Sequence, residues 1–373
     1  MKPTALAVAT ALLLTLHATA GTPVEVARGD KASQPRQPQV AVDEDGAIHL
    51  VYGVNNSVRY CRSDDQGKSY SAPTELPSLG ALSLGMRRGP RIVAFDGRIA
   101  VTAIGGPLGK GQDGNVLCYR SADAGVTWSA PIVVNDVADS AREGLHGMSA
   151  GPDGTVCCVW LDLRHKKSEV MAATSVDAGA TWSKNVLVYR SPDGSVCECC
   201  HPSVAWGANG VVHVMWRNSL SGNRDMYVAK STDGGVSFGT ASKLGAETWP
   251  LDACPMDGGA ITCTAAYGVS AVWRREGKVY LLTQNDSPER LLGDGEQPWI
   301  AASPKGVYVV WLKNRAEEAF ILRPGELVPT QLTSQAYDPV VAASPTLTGP
   351  VVAAWEGRDE TGAYIILCEV VGQ

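Results

Sequence analysis

Ser175-Val-Asp-Ala-Gly-Ala-Thr-Trp182 is the stretch that decides the fold, because it recurs. It returns as Ser121–Trp128 (SADAGVTW), as Ser231–Phe238 (STDGGVSF) and, more loosely, as Ser63–Tyr70 (SDDQGKSY). The copies start at 63, 121, 175 and 231, so they lie 58, 54 and 56 residues apart. A period of this size means stacked copies of one supersecondary unit. Each copy reads as a turn. The Asp carboxylate (Asp64 or Asp65, Asp123, Asp177, Asp233) accepts backbone N–H groups just beyond it. The glycine (Gly67, Gly125, Gly179, Gly235) permits positive φ, and the closing aromatic starts a strand with a large ring to bury.

Working outward, a three-strand unit can be followed seven times. Its first strand starts near Pro38, Pro90, Met148, Pro202, Gly258, Pro298 and Pro339. The second alternates apolar residues and usually closes on an aromatic: Tyr52, Trp160, Trp216, Trp273, Trp311, Trp355. These equivalent rings are expected to pack between neighbouring units. Asp45-Gly46, Asp96-Gly97, Asp153-Gly154, Asn209-Gly210 and Lys305-Gly306 mark hairpins between the two strands. The seventh unit ends at Gln373 after its third strand, and residues 21–30 supply one unassigned strand that can close a ring without a free edge. The expectation is all-β: a propeller of four-stranded antiparallel blades, seven in number, with six as the alternative.

The four turns resemble the Asp-box of sialidase-like β-propellers, the BNR-repeat superfamily. That resemblance implies the propeller fold but no single activity, and known sialidases have six blades. In an up-and-down blade the Asp-boxes share one face with the first hairpins. The crossings between blades and the loops from second to third strand emerge on the other, where an axial site belongs.

The chain opens with Lys2, an apolar run from Ala5 to Leu16 and Ala18-Thr-Ala20, the pattern of a secretory leader cut after Ala20. Residues 21–373 are then one propeller domain, expected in the periplasm or secreted, and monomeric. The run is too short for a membrane span and no other stretch qualifies. With 32 Lys+Arg against 38 Asp+Glu the net charge is −6, which gives no reason to expect nucleic-acid binding.

Six of the ten cysteines are dispersed in strand-like segments. Cys197, Cys199, Cys200 and His201 instead crowd one crossing, with Cys254 on the next. Three thiols and an imidazole in five residues read as a soft-metal site for copper or zinc, with Met148 or Met256 as thioether donors. In an exported protein the leading alternative is disulfides pinning two crossings, ahead of the metal, with a reactive thiol last. The stretch from Cys197 to Gly259 (CECCHPSVA, WRNSLSGNRDMYVAKSTDGG, DACPMDGG) also resembles a segment of exported bacterial BNR-repeat proteins, which implies a shared cysteine-bearing site and carries no reaction.

If the sialidase resemblance extends to chemistry, it implies three arginines gripping a carboxylate, a Tyr nucleophile with a Glu base, and an Asp acid/base. Tyr337, Glu143 and Asp225 are the catalytic candidates. Arg87, Arg142, His146, Arg217, Arg224 and Asp257 are the ligand-binding candidates on the same face. The family's Phe/Tyr-Arg-Ile-Pro motif is absent, since Gly89-Pro-Arg91-Ile92 has no following proline. The expected function is therefore ligand or metal binding at the axial Cys/His/Arg-rich face. The alternatives are a glycosidase acting on an acidic sugar and a scaffold for a protein partner.

Overall fold

The computed structural model describes residues 21–264, 268–283 and 288–373. The expected leader, residues 1–20, lies outside the described residues. Seven antiparallel sheets surround one axis, each a four-stranded blade, and the second blade carries the short Ala81–Leu82 as a fifth strand. Their innermost strands are Pro35–Val42, Arg91–Phe95, His146–Ala150, Ser203–Trp206, Ala260–Thr264, Glu296–Ser303 and Tyr337–Ala343. Each packs on its two neighbours, and the last packs on the first, so the ring closes at seven blades and not six. Among the described residues no helix is long and apolar enough to cross a membrane.

The second strand of each blade lies between the adjacent blades and is buried on both faces. Val156–Asp162 is buried at every residue, which turns the expected alternation into a continuous apolar run. Trp160, Trp216, Trp273, Trp311 and Trp355 are each 2 % exposed or less and fill the spaces between blades. Trp160 of blade 3, for example, packs with Val93, Phe95 and Ile104 of blade 2.

Val24–Gly29 pairs antiparallel with the last strand, Tyr364–Gly372, running from Val24 opposite Cys368 to Gly29 opposite Tyr364. It is the fourth strand of blade 7. Blades 5 and 6 make their outer strands, Arg290–Asp294 and Thr330–Thr333, without an Asp-box.

The Asp-box turns use one more residue than their carboxylate. Ser175 Oγ donates to Asp177 Oδ1 (2.8 Å) and accepts from Gly179 N (2.7 Å). Asp177 then accepts from Thr181 N and Thr181 Oγ1 (2.8 and 2.6 Å). Ala178 and Gly179 both have positive φ (59° and 84°). Hydrogen bonds from Ser69, Thr127 and Ser237 hold the carboxyls of Asp65, Asp123 and Asp233 down at about 2. Their contribution to stability is present above the ordinary carboxylate range and is lost as pH falls toward 2. Ala124 N bonds to Gly97 O and Ala178 N to Gly154 O, which ties the boxes of blades 2 and 3 to the first hairpins of their own blades and places them on one face.

Two outcomes are expected. Deleting residues 21–30 leaves Tyr364–Gly372 as an open edge, so light scattering is expected to show self-association together with a lower melting temperature. Asp177→Ala removes the acceptor of three hydrogen bonds and is expected to lower urea-measured stability by about 1–2 kcal/mol. Unchanged melting in both variants would contradict the roles given to these elements.

Candidate functional site at the axial face

Crossings and second-to-third-strand loops meet at the end of the ring opposite the Asp-boxes. Arg224 N bonds to Trp249 O (2.8 Å) and Cys197 N to Arg217 O (3.0 Å). Three groups of side chains result.

The first is a sulfur centre. Cys197 Sγ lies 3.6 Å from Cys199 Sγ and 3.4 Å from Cys200 Sγ, and the latter two are 3.8 Å apart. Cys199 is disulfide-bonded to Cys254, which brings in the next crossing. The sulfurs of Cys197, Cys199 and Cys254 lie within 4.8 Å of one another. Burial falls from Cys197 and Cys200, both enclosed, through Cys199 to the exposed Cys254, so the centre is reachable from one side. Asp257 N donates to Cys200 Sγ (3.4 Å). The Cys200 hydrogen bond, with help from the Arg217 charge, pulls the Cys197 thiol below its ordinary range, whereas burial drives Cys200 up. Ser195, Glu198, Ser219, Arg224 and Asp252 line the open side.

His201 belongs to a different environment from the thiols. Its ring is buried and stacks on Trp299 at 5.5 Å, and burial pushes its pKa well down. Met148 sits against Thr102, whose hydroxyl donates to Met148 Sδ (3.5 Å), while Met256 is exposed.

The second group is a buried polar ring under the face. Arg217 donates to three carbonyls, those of Asp257 (2.8 Å), Arg224 (2.7 Å) and Arg274 (2.9 Å), and lies over Trp249. Arg87 donates to Pro339 O and Gln297 O and lies over Trp299, with Asp338 Oδ1 at 3.9 Å from its Nε. Asp257 Oδ2 accepts from Gln297 N (2.7 Å). Gln37 donates from Nε2 to Asp338 Oδ2 (2.7 Å) and from N to Glu356 Oε1 (2.7 Å). Burial and the neighbouring Asp338 raise the Glu356 carboxyl to about 7. Burial and the adjacent Arg87 charge lower Arg91 to about 9. Gln37, Gln297 and Asp338 each precede a proline and each have positive φ (55°, 53°, 47°) at a bulge in the inner strand. His146 is fully buried, its Nε2 3.1 Å from Thr102 Oγ1.

The third group is a rim pocket of 140 Å3 where blades 6, 7 and 1 meet. Arg36, Arg315, Arg358, Tyr337, Tyr364 and Glu356 line it. Arg358 donates to Tyr364 Oη (3.1 Å). Among the described residues none of the three arginines is paired with a carboxylate within 4.0 Å, whereas Arg164 and Arg275 elsewhere on the ring are.

The three catalytic candidates do not share one of these groups. Tyr337 is in the rim pocket. Glu143 lies at the crossing from blade 2 to blade 3, where its carbonyl accepts from Arg88 Nε (2.7 Å) and burial raises its carboxyl. Asp225 is buried and accepts from Trp249 N (2.8 Å), holding the crossing after blade 4. Of the ligand-binding candidates, Arg224 borders the sulfur centre, where it donates to Ala253 O (3.2 Å). Arg87, Arg217 and Asp257 belong to the buried ring, and Arg142 is exposed beside Gly114. Sequence reasoning left out Arg91, Trp299 and the Gln37–Glu356 pair as site residues. The recurring polar-residue–proline steps at 37, 297 and 338, and a tryptophan on an inner instead of a second strand, were the available signals.

The model of the BNR repeat-like domain matches residues 16–193 and 106–287, two overlapping segments that together span most of the chain. No curated protein matches. Among solved structures, the chain is similar to an alpha-L-arabinanase of Penicillium chrysogenum complexed with arabinobiose (13 % identity, 94 % of this chain and 98 % of that one, TM-score 0.56). It is similar to the K499G mutant of the NanB sialidase of Streptococcus pneumoniae (9 % identity, 94 % and 70 %, TM-score 0.55). A PL25 ulvan lyase bound to a GlcA(1-4)Rha3S unit matches at 12 % identity over 94 % and 96 %, with TM-score 0.55. At these identities the likeness shows the fold alone.

The raised Glu356 carboxyl predicts a pH effect. Its proton is held more tightly in the folded protein, so the stability it contributes is full below its unfolded pKa and is lost as pH rises through about 7. Glu356→Gln keeps an acceptor for Gln37 and is expected to flatten the fall in urea midpoint between about pH 4.5 and 7. An unchanged slope would contradict the assignment.

Proposed function

Because the chain belongs to the BNR repeat-like family, whose propeller is built from this repeat, we propose that it is an exported binding propeller whose working end is the axial face. Its Cys197–Cys199–Cys200–Cys254 centre takes a thiophilic metal ion, copper(I) or zinc, when reduced. One observation carries the reading. The sulfurs of Cys197, Cys199 and Cys200 form a triangle with edges of 3.4, 3.6 and 3.8 Å. Two thiolates on a tetrahedral zinc, each bonded at about 2.3 Å, are separated by about 3.8 Å. The sulfurs are therefore spaced nearly as such a site requires. Arg217 and Arg224 beside Cys197 favour the thiolate charge. Cys254 supplies the fourth sulfur once its bond to Cys199 is reduced, so oxidation withdraws two ligands together.

A second reading rests on the rim pocket. Three arginines without a carboxylate partner, Tyr337 and a carboxyl raised to about 7 together suit an acidic sugar and support a sialidase-type glycosidase. Glu143 and Asp225 do not line that pocket, so Glu356 takes the acid/base place in this reading.

Protein reduced without oxygen and desalted is expected to retain about one copper(I) or zinc per chain by elemental analysis. Cys197→Ser and Cys200→Ser are expected to lose it while keeping the wild-type far-ultraviolet circular dichroism. No retention by the reduced wild type would overturn the first reading. Fluorophore release from an aryl-sialoside, abolished by Tyr337→Phe, would establish the second.

A further inference from the structure

Arg91 carries a charge that nothing in contact with it neutralises. It begins the inner strand of blade 2, is 4 % exposed, and lines the central channel, a cavity of 280 Å3. Its guanidinium donates to three carbonyls, those of Gly89 (3.4 Å), Pro90 (3.0 Å) and Arg87 (2.5 Å). Its Nε–H is buried and has no partner. Among the described residues no carboxylate lies within 4.0 Å of it, although buried Arg275 and partly buried Arg164 both have one. Carbonyl dipoles satisfy N–H groups but do not cancel a charge, and a buried ion without a counter-ion is strongly disfavoured.

The surroundings sharpen the imbalance. Arg87, also buried, lies beside Arg91, and both guanidinium groups sit over Trp299, at 5.1 and 5.8 Å from its ring. Asp338 faces Arg87 through Oδ1, 3.9 Å from its Nε, while Asp338 Oδ2 accepts from Gln37 Nε2, so neither oxygen pairs with Arg91. Blade 2 thus projects two cations across the axis to a tryptophan of blade 6.

We propose that the axial end of the central channel binds a small monovalent anion, of halide or nitrate size, against Arg91 Nε and beside Trp299. The chemistry of the walls selects the class. Below Arg91 the channel walls mix apolar Val93, Ile261 and Ile300 with polar Gln39, Ser203 and Thr262. Ser203 Oγ already accepts from Ile261 N (3.1 Å). Such walls offer only neutral groups beside one unneutralised guanidinium, which offsets a single negative charge and leaves the second charge of sulfate or phosphate uncompensated. The volume leaves room for the anion and several waters at about 30 Å3 each. This site is separate from the sulfur centre and stands or falls independently of it.

Crystals of the wild-type protein soaked in sodium bromide test the site directly. The expected result is an anomalous peak in the channel within about 3.5 Å of Arg91 Nε. In solution, the melting temperature is expected to rise saturably when bromide replaces gluconate at constant ionic strength, and Arg91→Met is expected to abolish that rise. Only water at the position, or an equal bromide effect in wild type and variant, would overturn the proposal. If Arg91→Met does not fold, the bromide map of the wild type decides alone.

Discussion

Everything on the axial face depends on the pairing of Val24–Gly29 with Tyr364–Gly372. A ring of sheets linked only through the chain would end in a free blade edge, and its seven inner strands would have no reason to stay converged. Joining the first strand to the last makes the inter-blade contacts mutually dependent. The fully buried tryptophans of blades 3 to 7 then fill spaces whose size is set by closure. The functional end inherits its rigidity from that closure.

Convergence also has a consequence for polarity. Inner strands begin at the axis, where backbone from seven blades crowds together. The bulges at Gln37, Gln297 and Asp338 relieve the crowding and turn polar side chains inward. There they bond to one another and to Arg87, giving a buried ring of opposed charges beneath the open face. Burial of the Glu356 carboxyl beside Asp338 in that ring accounts for its raised pKa. The sulfur centre lies at the crossings after blades 3 and 4, outside this ring, and is the more accessible of the two through Cys254.

How much could be read beforehand followed repetition. The Asp-box copies, the Asp-Gly hairpins and the spaced tryptophans gave blade order, face assignment and closure, because each recurs with the same physical cause. Even there the role of Ser175 was not read, since a serine that heads all four copies shows its recurrence but not that its hydroxyl caps a glycine N–H. The cysteine cluster was legible because four sulfurs on adjacent crossings must be neighbours in this topology. Arg91 and Trp299 were not, because a charged residue or a ring inside a strand gives no sign of facing an axis. Tyr337, Glu143 and Asp225 were grouped by face alone, and a face is wider than a pocket.

The central claim is that the four sulfurs, not the neighbouring imidazole, constitute the binding centre. X-ray absorption at the metal edge of reduced protein loaded with zinc measures this directly. A first shell made of sulfur alone at about 2.3 Å is predicted. A shell containing nitrogen at about 2.0 Å, or one of light atoms only, would contradict it.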